Sequence, residues 1–456
     1  MRLRVFSTLL LTALSSLAAP ACGPDGGDDP QVDDLVRPRP PIENDPAFTV
    51  TGVPRYILAG DGRTSATTSL TIRVAPPPGV TEIDAWIDGI GPAHPAVADG
   101  DELRVSFDVH ALELGSHNIL LSVHGAETAF HRAEFVKGHA LYVIISTDWD
   151  FSDVDDRVLD HHTELHTAHP ELKITHLIGP YTFTDPAVPQ ARRDFIVSWA
   201  QGMRDTYGDE IGLHIHPYCN FVESAGLTCK TSPSVADPAG DPTGYTVRLG
   251  AYTREEWKLL FGKANEIWYQ VGFGKPTSFR AGAWTLEPHV ALALAESGFL
   301  VDSSANNWRL MDEWIGYDIY EFNKTQWAHI GDTSQPYYPT TDSLVPGEGE
   351  GQALQLLEVP DNGCMVDYWT VEEMTKIFDA NWSGAALSEP KQVSTGFHPA
   401  TTQYYSAYEF DRLDEFFTYT DQFLASKLEG PVVYINMSEA TSVWYFNPDR
   451  VGSFAP

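Results

Sequence analysis

Leu141-Tyr142-Val143-Ile144-Ile145-Ser146 is an apolar run of strand length, and it stops at Thr147-Asp148-Trp149-Asp150. A run apolar on successive residues, not alternate ones, fits a strand covered on both faces, as in a parallel sheet. Residues 154–169 follow with a helical pattern, and residues 173–178 read as a second buried strand. The same rhythm continues downstream. Helices are expected at 189–207, 254–271, 287–298, 371–382 and 410–428, and strands at 210–216, 277–280, 355–359, 392–398 and 432–436. Strand–helix alternation of this length predicts an α/β fold whose parallel sheet is closed, or nearly closed, into a barrel. No internal repeat interrupts it, and the Gly-rich stretch 346–351 reads as a surface loop because its glutamates would repel a phosphate.

Upstream, residues 46–137 carry short alternating runs such as Ser69-Leu70-Thr71-Ile72-Arg73-Val74 and Leu103-Arg104-Val105-Ser106-Phe107, separated by Gly- and Pro-rich turns. That spacing predicts a small all-β sandwich, with residues 138–456 forming the barrel. Residues 23–45 are Gly, Pro and Asp with little to bury and read as a flexible tether. Residues 1–22 read as an export signal: Arg2 and Arg4, an apolar stretch free of acids, then small residues before Cys22. That ending resembles a bacterial lipobox, with Cys22 acylated. Gly23, not Asp, follows it, which resembles sorting to the outer membrane. The expectation is therefore an exported lipoprotein of the cell envelope, held by its lipid alone. Export makes disulfides feasible. A local Cys219–Cys229 bridge is expected, although Cys364 could replace either partner.

The chain has 63 Asp and Glu against 29 Lys and Arg, a formal net charge of -34. Phosphate recognition needs clustered cations, so a nucleic-acid partner is excluded.

Four polar clusters fall at the C-terminal ends of expected barrel strands, the face on which barrels carry their chemistry. Asp148 and Asp150 end the first strand. His214 and His216, two apart on a strand, share a face and could hold a metal. Arg280 could clamp a carboxylate, and His398 ends a late strand. Trp149, Tyr218 and Trp284 lie beside these positions in sequence and are expected to stack on sugar rings. His162 and His166, at i and i+4, are expected on an exposed helix face, because the intervening Glu164 is misplaced for a metalloprotease motif.

In order and spacing these clusters resemble the motifs of the polysaccharide deacetylase family, the NodB-homology domain. The segments are Asp148-Trp149-Asp150, Glu210-Ile-Gly-Leu-His214-Ile-His216-Pro217, Phe279-Arg280-Ala281-Gly282, Gly298 to Ser304, Leu357-Glu358-Val359-Pro360 and Phe397-His398-Pro399. The resemblance spans about residues 138–444 and departs from the usual pattern in three places. Trp149 separates the two aspartates, Tyr218 stands where a second histidine is usual, and Ala281-Gly282 replaces a proline after the arginine. It implies a distorted (β/α) barrel and hydrolysis of N- or O-acetyl groups on a carbohydrate. It also implies Asp148 as general base, Asp150, His214 and His216 as ligands of a divalent metal (zinc by default), Arg280 orienting Asp148, and His398 as general acid. The departures leave a non-catalytic glycan-binding lipoprotein on a degenerate fold as the alternative. A glycosidase would need two carboxylates across a cleft, for which Asp148 and Glu358 are the one pair to nominate.

Overall fold

The computed structural model describes residues 48–126, 128–399 and 407–446. The export signal, Cys22 and the tether lie outside the described residues.

Among the described residues, nine strands precede the barrel: β1 (Thr49–Thr51), β2 (Tyr56–Leu58), β3 (Ser69–Ala75), β4 (Ile83–Ile87), β5 (Ile90–Pro95), β6 (Val97–Asp99), β7 (Glu102–Asp108), β8 (Gly115–Val123) and β9 (His131–Gly138). They form two sheets, ordered β1-β3-β7-β6 and β2-β9-β8-β4-β5. Exposed and buried residues alternate strictly along β3 and β7, the period-two signature of a half-buried strand. Their inward set (Leu70, Ile72, Val74, Val105, Phe107) meets Ile83, Ala85, Ile119, Leu121 and Phe135 of the other sheet. This is the small sandwich that precedes the barrel.

The barrel strands are β10 (Leu141–Asp148), β11 (Ile174–Ile178), β12 (Glu210–Ile215), β13 (Ser278–Ala281), β14 (Val301–Asp302), β15 (Leu357–Glu358), β16 (Lys391–Phe397) and β17 (Val432–Ile435). All run parallel, in the order β15-β14-β13-β12-β11-β10-β16. β17 pairs with the first half of β10, Leu141 to Ile144, while β11 pairs with the second half, Ile145 to Asp148. Between β15 and β16 an irregular segment completes the ring: Gly363 N–H donates to Ser394 O at 2.8 Å, and Gly396 N–H donates to Cys364 O at 2.9 Å. The barrel is distorted at these two places.

Every residue of β10 is buried, as a strand covered on both faces requires. Tyr142 and Ile144 join Leu177, Val301, Leu357, Val359 and Ile435 inside the barrel. Val143 and Ile145 face the helices, packing with Val158, Leu165, Phe378 and Phe416. The alternation carried forward puts Asp148 on the interior face at the barrel mouth and Trp149 on the helix side.

The helices form where their ends are satisfied. Thr253 and Thr370 begin helices Arg254–Gln270 and Val371–Asn381 with capping boxes closed by Glu256 and Glu373. Gly208 ends helix Gln190–Tyr207 in the left-handed conformation. The expected helix 410–428 is instead Ala407–Thr420 followed by two short 3-10 turns. No described helix is long and apolar enough to cross a membrane.

The helix carrying His162 and His166, Asp156–Ala168, corrects an expectation. Both histidines are buried, on one stripe with Val158 and Leu165. The exposed face carries Thr163 and Glu164.

Candidate metal centre and active site

β12 aims His214 at the mouth, and His216 follows two residues on. His214 Nδ1 donates to Arg280 O at 3.0 Å, and His216 Nδ1 donates to Tyr245 O at 2.7 Å. A carbonyl oxygen only accepts, so each ring carries its proton on Nδ1 and, when neutral, shows a lone pair at Nε2. Both lone pairs face one atom: Asp150 Oδ1 lies 3.1 Å from His214 Nε2 and 3.3 Å from His216 Nε2. The three ligand atoms all lie within 4.8 Å of one another. Three acceptors so placed repel unless a proton or a cation sits among them. One carboxylate and two imidazoles, each oriented by a carbonyl behind it, is a donor set that suits a divalent transition metal.

Asp148 stands beside this group, buried, with Arg280 Nη1 at 3.0 Å. Arg280 is fully buried and held from several sides. Its Nε donates to Ser303 O at 2.7 Å, Nη2 donates to Ser303 Oγ at 2.8 Å, and Nη2 lies 3.4 Å from Asp361 Oδ2. Burial opposes its charge, but Asp148 and Asp361 outweigh it and hold the guanidinium protonated.

Beneath Arg280 lies a layer of acids. Burial raises the pKa of Glu358 well above the carboxylate range, and the neighbouring Asp302 adds to the rise. Burial raises Asp302 as well, so the two carboxyls share a proton. Burial also pushes Asp361 up to about 7, against the pull of Arg280. Glu358 is thus a fully enclosed residue of β15, with its Oε1 accepting from Ala305 N at 2.9 Å. It faces no cleft, which removes the Asp148–Glu358 glycosidase pair.

His398 reaches the mouth from the end of β16. Its Nδ1 sits 2.6 Å from Asp367 Oδ2, and its Nε2 lies 4.0 Å from Asp150 Oδ2. Burial works against its charged form, but the Asp367 and Asp150 carboxylates prevail and push its pKa up to about 10.

The six polar residues singled out in the sequence therefore meet at one mouth. The three aromatics divide. Tyr218 is half-buried there, its hydroxyl donating to Asp150 O at 3.1 Å. Trp149, 0% exposed, packs on Trp199, and Trp284, 4% exposed, belongs to the same apolar core. Neither offers a face to a sugar, which corrects that expectation. Adjacent strand residues face opposite ways, so a mouth-facing Asp148 sends Trp149 outward.

Two site residues escaped the sequence reading. Asp367 lies in a short 3-10 turn, Val366–Tyr368, with no periodic signal. Tyr245 lies in the long loop that follows the Cys219–Cys229 disulfide. Cys364 is free and buried.

No protein-family model and no curated protein matches the chain. Solved structures do show similarity. A candidate polysaccharide deacetylase of Mycobacterium smegmatis aligns at 16% identity and TM-score 0.39, over 66% of this chain and 89% of that one. A family 4 acetyl xylan esterase of Clostridium thermocellum, in complex with a cobalt ion, aligns at 10% identity and TM-score 0.32, over 66% and 90%. The 4-alpha-glucanotransferase of Thermococcus litoralis aligns at 12% identity and TM-score 0.40, over 68% and 41%. A functional reading therefore has to rest on the geometry of the mouth itself.

Proposed function

We propose that the protein is a metal-dependent hydrolase that removes N- or O-acetyl groups from a carbohydrate, with zinc as the default metal. The observation that carries this reading is the convergence of three acceptors, Asp150 Oδ1 and the two Nε2 atoms, between an Arg-bound aspartate and an Asp-bound histidine. The motif resemblance in the sequence points the same way.

A divalent cation held by Asp150, His214 and His216 would polarise the acyl oxygen and acidify a water. Asp148 takes the proton from the attacking water as it adds to the acyl carbon. Arg280, locked by Ser303 and Asp361, fixes the direction in which Asp148 presents its oxygens. His398 Nε2 gives its proton to the departing nitrogen or oxygen as the acyl bond breaks, so acetate and the free amine or alcohol leave. Asp367, on Nδ1, keeps that imidazole charged and turned towards the mouth. Tyr218 is the aromatic that could meet a sugar ring. The enzyme works at the cell envelope, carried there by the signal ending at Cys22 and held by its lipid.

The test is acetate release by the processed chain from a panel of acetylated glycans, with and without metal stripping. Metal-dependent release supports the reading. Glycan binding with no turnover, indifferent to chelator, would replace it with a binding protein.

A further inference from the structure

Tyr245 touches two of the three proposed metal ligands with opposite ends of one residue. Its carbonyl accepts from His216 Nδ1 at 2.7 Å, and its hydroxyl donates to Asp150 Oδ2 at 2.8 Å. Its ring lies against His216, centroids 4.4 Å apart, and stacks on Tyr218 at 5.2 Å.

The loop that delivers it is tightly built. Cys219, one end of the disulfide, donates its N–H to Thr243 O at 2.8 Å. Asp241 accepts from the N–H groups of Thr243 and Thr246 at 2.8 and 2.9 Å, fixing the turn on both sides of Tyr245. Gly244 has φ +85°, and a Cβ there would lie 2.3 Å from Pro217 O, so only glycine lets the loop press this closely on the residue after His216.

The two oxygens of Asp150 are thereby given different tasks. Oδ1 faces both imidazole lone pairs, whereas Oδ2 is engaged by the phenol. A free carboxylate can take a metal with one oxygen or with both. A hydrogen bond to one oxygen favours coordination through the other and leaves more positions open for water and substrate.

We propose that Tyr245 is a positioning residue that holds Asp150 as a one-oxygen ligand and so sets the affinity and coordination geometry of the metal centre. This rests on the metal-centre reading above. It adds a residue outside the ligand set, contributed by a loop tied back to Cys219.

The experiment uses the processed chain, stripped of metal and titrated with Co2+ and Zn2+. Calorimetry gives Kd, and the visible absorption of Co2+ reports coordination geometry. Tyr245→Phe keeps the ring and removes only the hydroxyl. The expected result is a Kd about tenfold weaker or more, the usual cost of losing an outer-shell partner, together with a changed Co2+ spectrum. The melting temperature of the metal-free variant serves as the control for folding. If the phenylalanine variant does not fold, Tyr245→Met is read in the same way. An unchanged Kd and an unchanged spectrum beside a metal-binding wild type overturn the role of Tyr245 and leave the centre standing. A wild type that binds neither ion overturns both.

Discussion

The barrel holds two groups made of the same parts, one aspartate and two histidines, and they are wired in opposite senses. At the mouth, His214 and His216 spend their Nδ1 protons on carbonyls and turn lone pairs towards Asp150. Behind the sheet, His166 and His176 put their Nε2 atoms 2.9 and 2.8 Å from Asp209 Oδ2, and their Nδ1 atoms have no partner. There the protons lie on Nε2 and both rings donate to the carboxylate, which also accepts from Ile174 N at 2.9 Å. The rear carboxylate has donors on both of its oxygens. The front group brings three acceptor atoms together, a set that suits a cation. Residue composition is the same in both, and the partner of each second ring nitrogen decides which is a ligand set and which is a structural tie.

Removing the aspartate from each group should separate the two roles. Asp150→Asn should abolish tight Zn2+ binding and lower kcat/KM by about a thousandfold, roughly 4 kcal/mol of barrier, with little change in the urea midpoint of the metal-free protein. Calorimetry and steady-state kinetics check this, and a variant that keeps its activity would sink the front assignment. Asp209→Asn should do the reverse. It leaves two buried imidazoles facing an amide, at a cost of about 3 kcal/mol of stability, with the Zn2+ Kd unchanged. Urea unfolding measures the first and calorimetry the second.

The rear group also predicts an acid limb. Burial alone would raise the pKa of Asp209, but its bonds to His166 and His176 hold it down to about 2. A carboxylate with a depressed native pKa stabilises the fold above its unfolded value of about 3.9 and loses that contribution as the pH falls. Stability should therefore drop by about 2–3 kcal/mol between pH ~4 and ~2. The drop should be blunted in Asp209→Asn, as followed by urea midpoints across that range.

The smallest effect belongs to the acids under Arg280. Asp302 and Glu358 already share one proton, so Glu358→Gln replaces a shared proton with an amide donor and keeps an acceptor for Ala305 N–H. Its cost should stay under about 1 kcal/mol. A loss of several kcal/mol would show that Glu358 is ionised in the native protein.

Much of the front group was legible in the sequence because each member sits where an apolar strand ends. Asp148 and Asp150 follow β10, and the two-residue spacing of His214 and His216 puts both on one face. The same alternation turns Trp149 away from the mouth, so nearness to Asp148 in sequence is not nearness to substrate. The helix that carries His166 differs from its expected exposure because His162 and His166 continue the i, i+4 repeat from Val158, whereas the misplaced Glu164 argues only against a metalloprotease motif. Tyr245 and Asp367 were illegible because their places depend on loop bonds between residues distant in sequence, which no local period encodes.

The pairing of β10 with β16 joins Leu141 to Lys391 and Thr147 to Phe397. The strand bearing the proposed base and the strand bearing the proposed acid are thus neighbours in space, with nearly the whole barrel sequence between them. Closing so long a loop is slow, because the chain gives up its freedom before the contact repays it. A chain emerging N-terminus first presents Asp148 well before His398. Whatever the substrate, the acid joins the base only after β16 has emerged, and a product stalled before β16 carries the first half of the site without the second.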